Sequence, residues 1–138
     1  MKRILWIDDK IDDELMEYAN ACFSKEEFKI DFIKPADSSK LECNYDLIIL
    51  DLIYGSSARS SSGYASAKKG LDKLGFIKSK CKKIKIVVVS VMQNDEIYNE
   101  CKKLGANCYI VKYPALEIFY KAVLDTLNDN KYRVIKLS

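Results

Sequence analysis

Histidine is the most informative absence from this sequence of 138 residues, which contains none. Without imidazole, the chain can neither hold a metal ion through histidine nor build a nucleophile that a histidine base activates. Cysteine is present, but no two cysteines have Cys-x-x-Cys spacing and their number is odd. We therefore interpret them as reduced thiols in a cytoplasmic protein. The cysteines are Cys22, Cys43, Cys81, Cys101 and Cys108.

Long apolar runs and nucleotide-binding motifs are missing as well. No run approaches the roughly 20 residues of a membrane-spanning helix. The sequence begins with a strand pattern rather than with the features of a signal peptide. No Gly-x-x-x-x-Gly-Lys-Ser/Thr motif of a phosphate-binding loop occurs. We therefore expect a cytoplasmic chain without a membrane segment.

The overall amino-acid composition is typical of one folded domain. Hydrophobic residues make up 49% of the chain and charged residues 31%, which is enough apolar material for a core. The formal net charge of +3 is small, and it neither requires nor excludes an anionic partner. The lysines between residues 78 and 85 lack interleaved aromatic side chains, so we interpret them as a solvated surface rather than a nucleic-acid site.

Two short apolar runs end directly on carboxylates. Residues 47–50 (Leu-Ile-Ile-Leu) are typical of a strand buried on both faces of a parallel sheet, and Asp51 follows them. Residues 3–7 form a second run of this kind, which ends at Asp8 and Asp9. Ligands of open α/β sheets bind beyond the carboxyl ends of the strands. These acidic residues therefore stand where a site is expected.

The rest of the chain alternates between strand and helix patterns. Further strand patterns cover residues 28–33, 84–91 and 107–111. Ser90 lies near the end of the fourth strand, and Lys112 directly follows the fifth. Helix patterns begin near Ile11, Tyr64, Asn94 and Ala115, and a weaker one covers residues 38–43. This order predicts an α/β fold: a flavodoxin-like, doubly wound parallel sheet of five strands with helices on both faces.

The residues at the strand ends have complementary chemistry if the first strand lies beside the third, as in the flavodoxin-like order. Asp8, Asp9 and Asp51 would then share one crevice, where like charges raise one another's pKa and a bound cation relieves the repulsion. Oxygen ligands are those that Mg²⁺ prefers. A carboxylate beside such an ion can attack phosphorus as a nucleophile. Lys112 would supply charge to the phosphoryl oxygens, and Ser90 a hydroxyl group.

With these residues in this order, the sequence resembles the response-regulator receiver domains of two-component signalling, and is closest in size to single-domain receivers of the chemotaxis type. The resemblance covers residues 2–128. It implies that Asp51, in the context Tyr-Asp-Leu-Ile-Ile-Leu-Asp-Leu, is the phosphoacceptor. It also implies that Ser90 and Lys112 stand at the family's hydroxyl and lysine positions and take part in the reaction.

The same resemblance implies a cofactor and a switch. The cofactor is Mg²⁺, and its ligands would be Asp8, Asp9, Asp51 and the backbone carbonyl of Ile53. The switch residues would be Ser90 and Tyr109. On phosphorylation, the serine would move towards the phosphoryl group and the tyrosine ring would move inward behind it.

The sequence departs from the family pattern around the site. The family usually has proline directly after the lysine, often with a cis bond, whereas here Tyr113 stands between Lys112 and Pro114. Whether this segment has a cis peptide stays open. Val91 is bulkier than the small residue that usually follows the serine, and we expect it to narrow access to the pocket. The serine-rich loop at residues 55–63 is longer than usual, which indicates a movable lid or disorder.

We expect residues 1–129 to form the receiver domain and residues 130–138 to form a C-terminal tail. The apolar residues of the tail are Tyr132, Val134, Ile135 and Leu137. They leave two outcomes open, an added strand or a frayed end. The tail takes the place of a linker to an output domain, and no DNA-binding module follows it, so direct DNA binding is not expected.

The resemblance implies that a histidine kinase or a histidine phosphotransfer protein donates the phosphoryl group and that an unidentified downstream protein responds. A receiver is not a turnover enzyme, because it takes up phosphate on its own aspartate and releases it slowly. Two alternatives are open: a receiver-like scaffold that acts without phosphorylation, and a magnesium-dependent phosphatase with an aspartate nucleophile. The phosphatase class commonly has a second aspartate two residues after the nucleophile, where this chain has Ile53.

Each of these residues also has an ordinary structural explanation when it is considered alone. Asp8 and Asp9 would be turn or cap residues, and Ser90 would be a core hydroxyl bonded to the backbone. Lys112 would be a solvent-exposed side chain, and Tyr109 would fill its strand for packing alone. Five matches in the right order, on the right elements, favour the functional interpretation.

Overall fold

The computed structural model describes residues 1–52 and 64–137, which form six strands, four α-helices and one short 3₁₀ helix. The strands are β1 (Lys2–Ile7), β2 (Phe28–Ile33), β3 (Leu47–Asp51), β4 (Lys85–Ser90), β5 (Cys108–Val111) and β6 (Arg133–Ile135). The helices are α1 (Asp13–Cys22), the 3₁₀ helix (Pro35–Lys40), α2 (Tyr64–Lys80), α3 (Asp95–Lys103) and α4 (Leu116–Asn128). The predicted alternation of strands and helices is therefore confirmed.

All strand pairs of the sheet are parallel, and the spatial order is β2-β1-β3-β4-β5-β6. The first strand lies beside the third, as the flavodoxin-like order requires. The prediction of five strands was wrong by one, because the tail adds β6 to the edge of β5. Its side chains Val134 and Ile135 pack against the two cores of the molecule, so the frayed alternative is wrong for this segment.

The helices cover both faces of the sheet, as predicted. Successive side chains of a strand point to opposite faces. In β3, Ile48 and Leu50 join the core beneath α2 and α3, whereas Leu47 and Ile49 join the core beneath α1 and α4. All residues of β3 are buried, as its apolar run predicts for a central strand of a parallel sheet.

Local sequence signals explain most of the helix ends. Asp12 caps α1 by accepting a hydrogen bond from the backbone N–H of Leu15, and Asn94 caps α3. Gly105 follows α3 with a φ of 102°, a conformation that favours glycine. The short helix begins at Pro35 rather than at residue 38, because the fixed φ of proline suits the first turn of a helix.

The interpretation of every cysteine as a reduced thiol was wrong for one pair. Cys43, which precedes β3, forms a disulfide with Cys81, which follows α2, across a sequence separation of 38 residues. The fold brings the end of that helix beside the loop, and no local spacing in the sequence reveals this. The remaining cysteines are buried free thiols whose pKa values burial raises. They are Cys22, Cys101 and Cys108.

Among residues 1–52 and 64–137, no helix combines the length and the apolar character that crossing a membrane would require.

Candidate functional site

Three carboxylates meet at the carboxyl edge of the sheet. Ile7 of β1 pairs with Leu50 of β3, so the residues that follow them, Asp8 and Asp51, lie side by side at the carboxyl edge of the sheet. One carboxylate oxygen from each of these two and from Asp9 can be chosen so that all three lie within 4.8 Å of one another. The expected gathering of these carboxylates is therefore confirmed.

The three carboxylates differ in their contact with water. Asp51 is 2% exposed and Asp8 is 4% exposed, while Asp9 faces solvent. One oxygen of Asp8 accepts a hydrogen bond of 2.9 Å from the backbone N–H of Lys10, which fixes that side chain at the start of the loop. The cluster thus has a buried floor and an open, acidic rim.

Lys112 reaches the cluster from the neighbouring strand end. Its Nζ lies 3.1 Å from Oδ1 of Asp51, and only 17% of its side chain is exposed. The backbone N–H of Lys112 donates to the carbonyl of Ser90 at 2.9 Å, which continues the ladder between β4 and β5 up to the site. The peptide bond between Lys112 and Tyr113 is cis, although the second residue is not proline.

A close approach of α2 supports the floor of the site. Gly70 of this helix packs directly against the backbone of Leu52, the residue after Asp51, and an added Cβ would overlap the carbonyl of Leu52. Only glycine permits that separation. The helix therefore fixes the backbone on which the central carboxylate stands.

Burial is the main electrostatic influence on the carboxylates. The pKa of Asp51 is raised to about 7: burial is the largest cause, the charges of Asp8 and Asp9 add to it, and Lys112 lowers the value. Burial also raises the pKa of Asp8, against the lowering effect of its hydrogen bond from Lys10. One lysine therefore does not balance the negative charge that full ionisation would place here.

The donor set fits Mg²⁺. The Oδ1 atom of Asp51 is inaccessible to solvent and, within the described part of the chain, has no hydrogen bond of good geometry in spite of the nearby lysine. A buried carboxylate oxygen without such a bond is costly unless an ion completes its surroundings. Asp8, Asp9 and Asp51 offer the hard oxygen ligands that the ion prefers. Ile53, whose carbonyl the sequence also suggests, lies outside the described residues, as does the loop at 55–63.

Ser90 ends β4 with its side chain fully buried. Its Oγ accepts a hydrogen bond of 3.1 Å from the backbone N–H of Met92, so the hydroxyl and the following turn are held together. Val91 lies between them and is 64% exposed, because its side chain points to solvent. The expectation that Val91 narrows access to the pocket stays a prediction, because exposure to solvent is compatible with a place at the mouth of the pocket.

Tyr109 lies beneath this turn and is fully buried. Its hydroxyl donates to the carbonyl of Met92 at 2.9 Å, and its ring packs against the ring of Tyr98 at a centroid distance of 4.8 Å and an angle of 67°. The sequence suggested an inward movement of this ring on phosphorylation. In the structure the Tyr109 ring is already buried, so it does not occupy an exposed position from which it could move inward.

The same architecture occurs in solved structures. A response regulator from Thermotoga maritima superimposes with a TM-score of 0.73 at 16% identity, over 94% of this chain and 99% of the other. The non-phosphorylated HemR receiver domain from Leptospira biflexa gives 0.73 at 19% identity, over 95% and 98%. The fold is that of a response-regulator receiver domain.

A chemotaxis protein is similar to this chain in structure as well. The chemotaxis protein CheY4 of Vibrio cholerae matches the receiver fold of this chain with a TM-score of 0.69 at 18% identity, over 91% of this chain and 98% of its own. No family model matches the sequence, and no curated protein matches it. The likeness therefore rests on three-dimensional structure, and identities this low show the fold alone.

A groove of about 400 Å³ opens beside the carboxylates of this receiver fold. Asp8 and Lys112 line its inner end, and Tyr18 and Tyr113 form an aromatic wall. The two rings lie 4.7 Å apart, and the hydroxyl of Tyr18 donates to the carbonyl of Pro114 at 2.8 Å. Tyr18 lies in α1, and no spacing in the sequence relates it to Tyr113.

Proposed function

We propose that this chain is a cytoplasmic phosphoacceptor receiver of a two-component phosphorelay and that Asp51 accepts the phosphoryl group. The observation that carries the proposal is the surroundings of that carboxylate. Asp8 and Asp9 offer oxygens within 4.8 Å of it and of one another, and Nζ of Lys112 lies 3.1 Å from it. A nucleophile, a cation site and a fixed positive charge are what phosphoryl transfer to an aspartate needs.

The reaction uses these residues in distinct roles. A carboxylate oxygen of Asp51 attacks phosphorus, the new O–P bond forms as the bond between phosphorus and the donor breaks, and the electron pair leaves with the donor atom. Mg²⁺ held by the carboxylates would offset the negative charge of the incoming group. Lys112 stabilises the equatorial oxygens by charge, and the hydroxyl of Ser90 donates to one of them after it turns from Met92.

The donor class follows from the same proposal. A phosphohistidine of a histidine kinase or of a histidine phosphotransfer protein would approach along the groove that leads to Asp8 and Lys112. Its imidazole nitrogen would leave with the electron pair and take a proton from water. The similar structures are described as a response regulator, a receiver domain and a chemotaxis protein, which supports this class of donor.

The consequence of phosphorylation would be a change of shape that a downstream protein recognises. The receiver takes up phosphate on its own residue and releases it slowly, so it is not a turnover enzyme. The elements around Ser90 and Tyr109, namely α3, β5 and α4, are the surface expected to change. Direct DNA binding is not part of the proposal.

Labelling with a small phosphodonor tests the assignment. Incubation with phosphoramidate and Mg²⁺, followed by intact-mass analysis and peptide mapping, should give one added phosphoryl group on Asp51. Removal of Mg²⁺ with a chelator should abolish the label, as should Asp51→Asn. Asp37→Asn, on the exposed surface of the 3₁₀ helix, is the matched control and should label fully. A wild type that never labels, or an Asp51→Asn protein that labels fully on another residue, would overturn the proposal, and the former would favour the phosphorylation-independent scaffold.

A further inference from the structure

The tail strand β6 occupies an edge of the sheet next to the switch elements. It pairs in parallel with β5, with Val134 opposite Tyr109. Two contacts hold the turn that connects α4 to β6. Nζ of Lys85 donates to the carbonyl of Asp129 at 2.6 Å, and Arg133 forms an ion pair with the side chain of Asp129. The tail is therefore an anchored part of this fold.

A second anchor connects the tail to α3. The hydroxyl of Tyr132 donates to the backbone carbonyl of Tyr98 at 2.6 Å, and the Tyr132 side chain packs against the core between α3 and the sheet. Basic side chains lie over both rings, with Lys102 Nζ 5.9 Å from the ring centre of Tyr132 and Lys136 Nζ 5.5 Å from that of Tyr98. The tail thus holds the helix segment that carries Tyr98.

A series of direct contacts connects Tyr98 to the candidate site. Its ring packs edge-to-face on the ring of Tyr109, whose hydroxyl donates to the carbonyl of Met92. The N–H of Met92 in turn donates to Oγ of Ser90. Each contact restricts the next one, so the docked tail limits the conformations open to the turn after β4.

We propose that Tyr132 is a positioning residue for the phosphoryl site and acts through Tyr98 and Tyr109 on the turn that carries Ser90. This inference rests on the proposed function of that site. A turn that the tail has already ordered loses less conformational entropy when it closes on a phosphoryl group, so docking of β6 favours phosphoryl binding. Linkage makes the effect reciprocal: a phosphoryl group at the site strengthens the docking of β6 by the same factor.

The test compares the affinity for beryllofluoride, a phosphoryl mimic, in full-length variants saturated with Mg²⁺. Tyr132→Phe removes the hydroxyl bond and keeps the ring, and it should weaken beryllofluoride binding about threefold to tenfold. The affinity for Mg²⁺ alone should stay unchanged, since the bond that this substitution removes joins the tail to α3. Tyr120→Phe is the matched control, because that hydroxyl contacts Glu27 on the opposite side of the sheet, and it should bind beryllofluoride like the wild type.

Hydrogen exchange gives the reciprocal measurement on the wild type. Beryllofluoride at saturation should slow the exchange of the β6 amides by at least the factor that Tyr132→Phe removes from the beryllofluoride affinity. A Tyr132→Phe protein that unfolds at a lower temperature yet binds beryllofluoride with wild-type affinity would show a purely structural role and overturn the inference alone. A wild type that binds no beryllofluoride would instead overturn the proposed function, and this inference with it.

Discussion

The Nζ atom of Lys112 and the Oδ1 atom of Asp51 lie 3.1 Å apart, in surroundings that expose 17% of one side chain and 3% of the other. Burial withdraws hydration from both charges, and one lysine faces three carboxylates. Lys112 therefore neutralises the carboxylates only in part, and a bound cation or phosphoryl group would change the net charge of the site. Predictions about stability, metal binding and chemistry follow from that imbalance.

The first prediction is that Asp51→Asn stabilises the metal-free protein at neutral to alkaline pH. The pKa of Asp51 is raised from 3.8 to about 7, so the folded state binds a proton that the unfolded state releases between these values. The stability that the protonated form provides is present below about pH 4 and is lost as the pH rises towards 7. The amide avoids this loss, and we expect a gain of about 1 to 2 kcal/mol at pH 8.

Urea unfolding of both proteins in the presence of a chelator measures this difference. The gain should be clearly smaller at pH 5 than at pH 8, because Asp51 of the folded wild type keeps its proton until the pH approaches 7 and most of the loss accumulates between these two pH values. Asp37→Asn, an exposed substitution of the same kind, is the matched control. An equal difference between wild type and Asp51→Asn at both pH values would contradict the assigned cause.

The second prediction concerns the metal ion. Mg²⁺ should raise the unfolding temperature of the wild type, and above its Kd the rise should continue with the logarithm of the Mg²⁺ concentration, because the ion would bind the folded carboxylate cluster and not the unfolded chain. Asp9→Asn removes one ligand from the rim and should weaken the affinity roughly tenfold or more. Thermal unfolding at increasing Mg²⁺ concentrations gives both affinities. Asp13→Asn, in the first turn of α1, should leave the Mg²⁺ affinity unchanged, and an equal loss in both variants would exclude a specific role of Asp9.

The third prediction is that the phosphorylated state, once formed on Asp51, is long-lived. Hydrolysis needs a water in line with the O–P bond. The resemblance to receiver domains implies that the residues two positions after Asp51 and two after Ser90 flank this water; here they are Ile53 and Met92, whose apolar side chains cannot orient it. Met92 is half-buried and packs against the core, and only its backbone groups form hydrogen bonds to Tyr109 and Ser90. Met92→Glu should therefore release phosphate faster, by about tenfold or more.

Hydrolysis is measured as the loss of label after the donor is removed, in the wild type, in Met92→Glu and in Met92→Leu. The leucine variant is the matched control for side-chain bulk and should keep the slow rate. If the wild type loses its phosphate as fast as the glutamate variant, water positioning at this residue does not limit hydrolysis.

The fourth prediction concerns the disulfide between Cys43 and Cys81. It closes a segment of 38 residues that contains β3 and α2, so reduction should lower the free energy of unfolding by about 4 kcal/mol in the chain-entropy description. Urea unfolding with and without a reductant measures this loss. A protein with both Cys43→Ser and Cys81→Ser should resemble the reduced wild type and should not respond to the reductant.

Local patterns alone determined the element order of this chain. The buried run that ends at Asp51 and the caps at Asp12 and Asn94 each depend on a few neighbouring residues, because backbone hydrogen bonding and side-chain periodicity are short-range. The strand-end chemistry of Asp8, Ser90 and Lys112 could be predicted for a related reason. Parallel strands present all their carboxyl ends at one edge of the sheet.

Tertiary structure decided the features that join distant parts of the sequence. The disulfide of Cys43 with Cys81, the aromatic wall of Tyr18 with Tyr113 and the bond of Tyr132 to Tyr98 each depend on strand order and helix placement. The sixth strand belongs to this group, since its three residues have no pattern of their own and gain stability only from the edge of β5 and the cores beside it. Short-range preferences cannot select among such long-range contacts, because their free energy appears only after the chain has closed on itself.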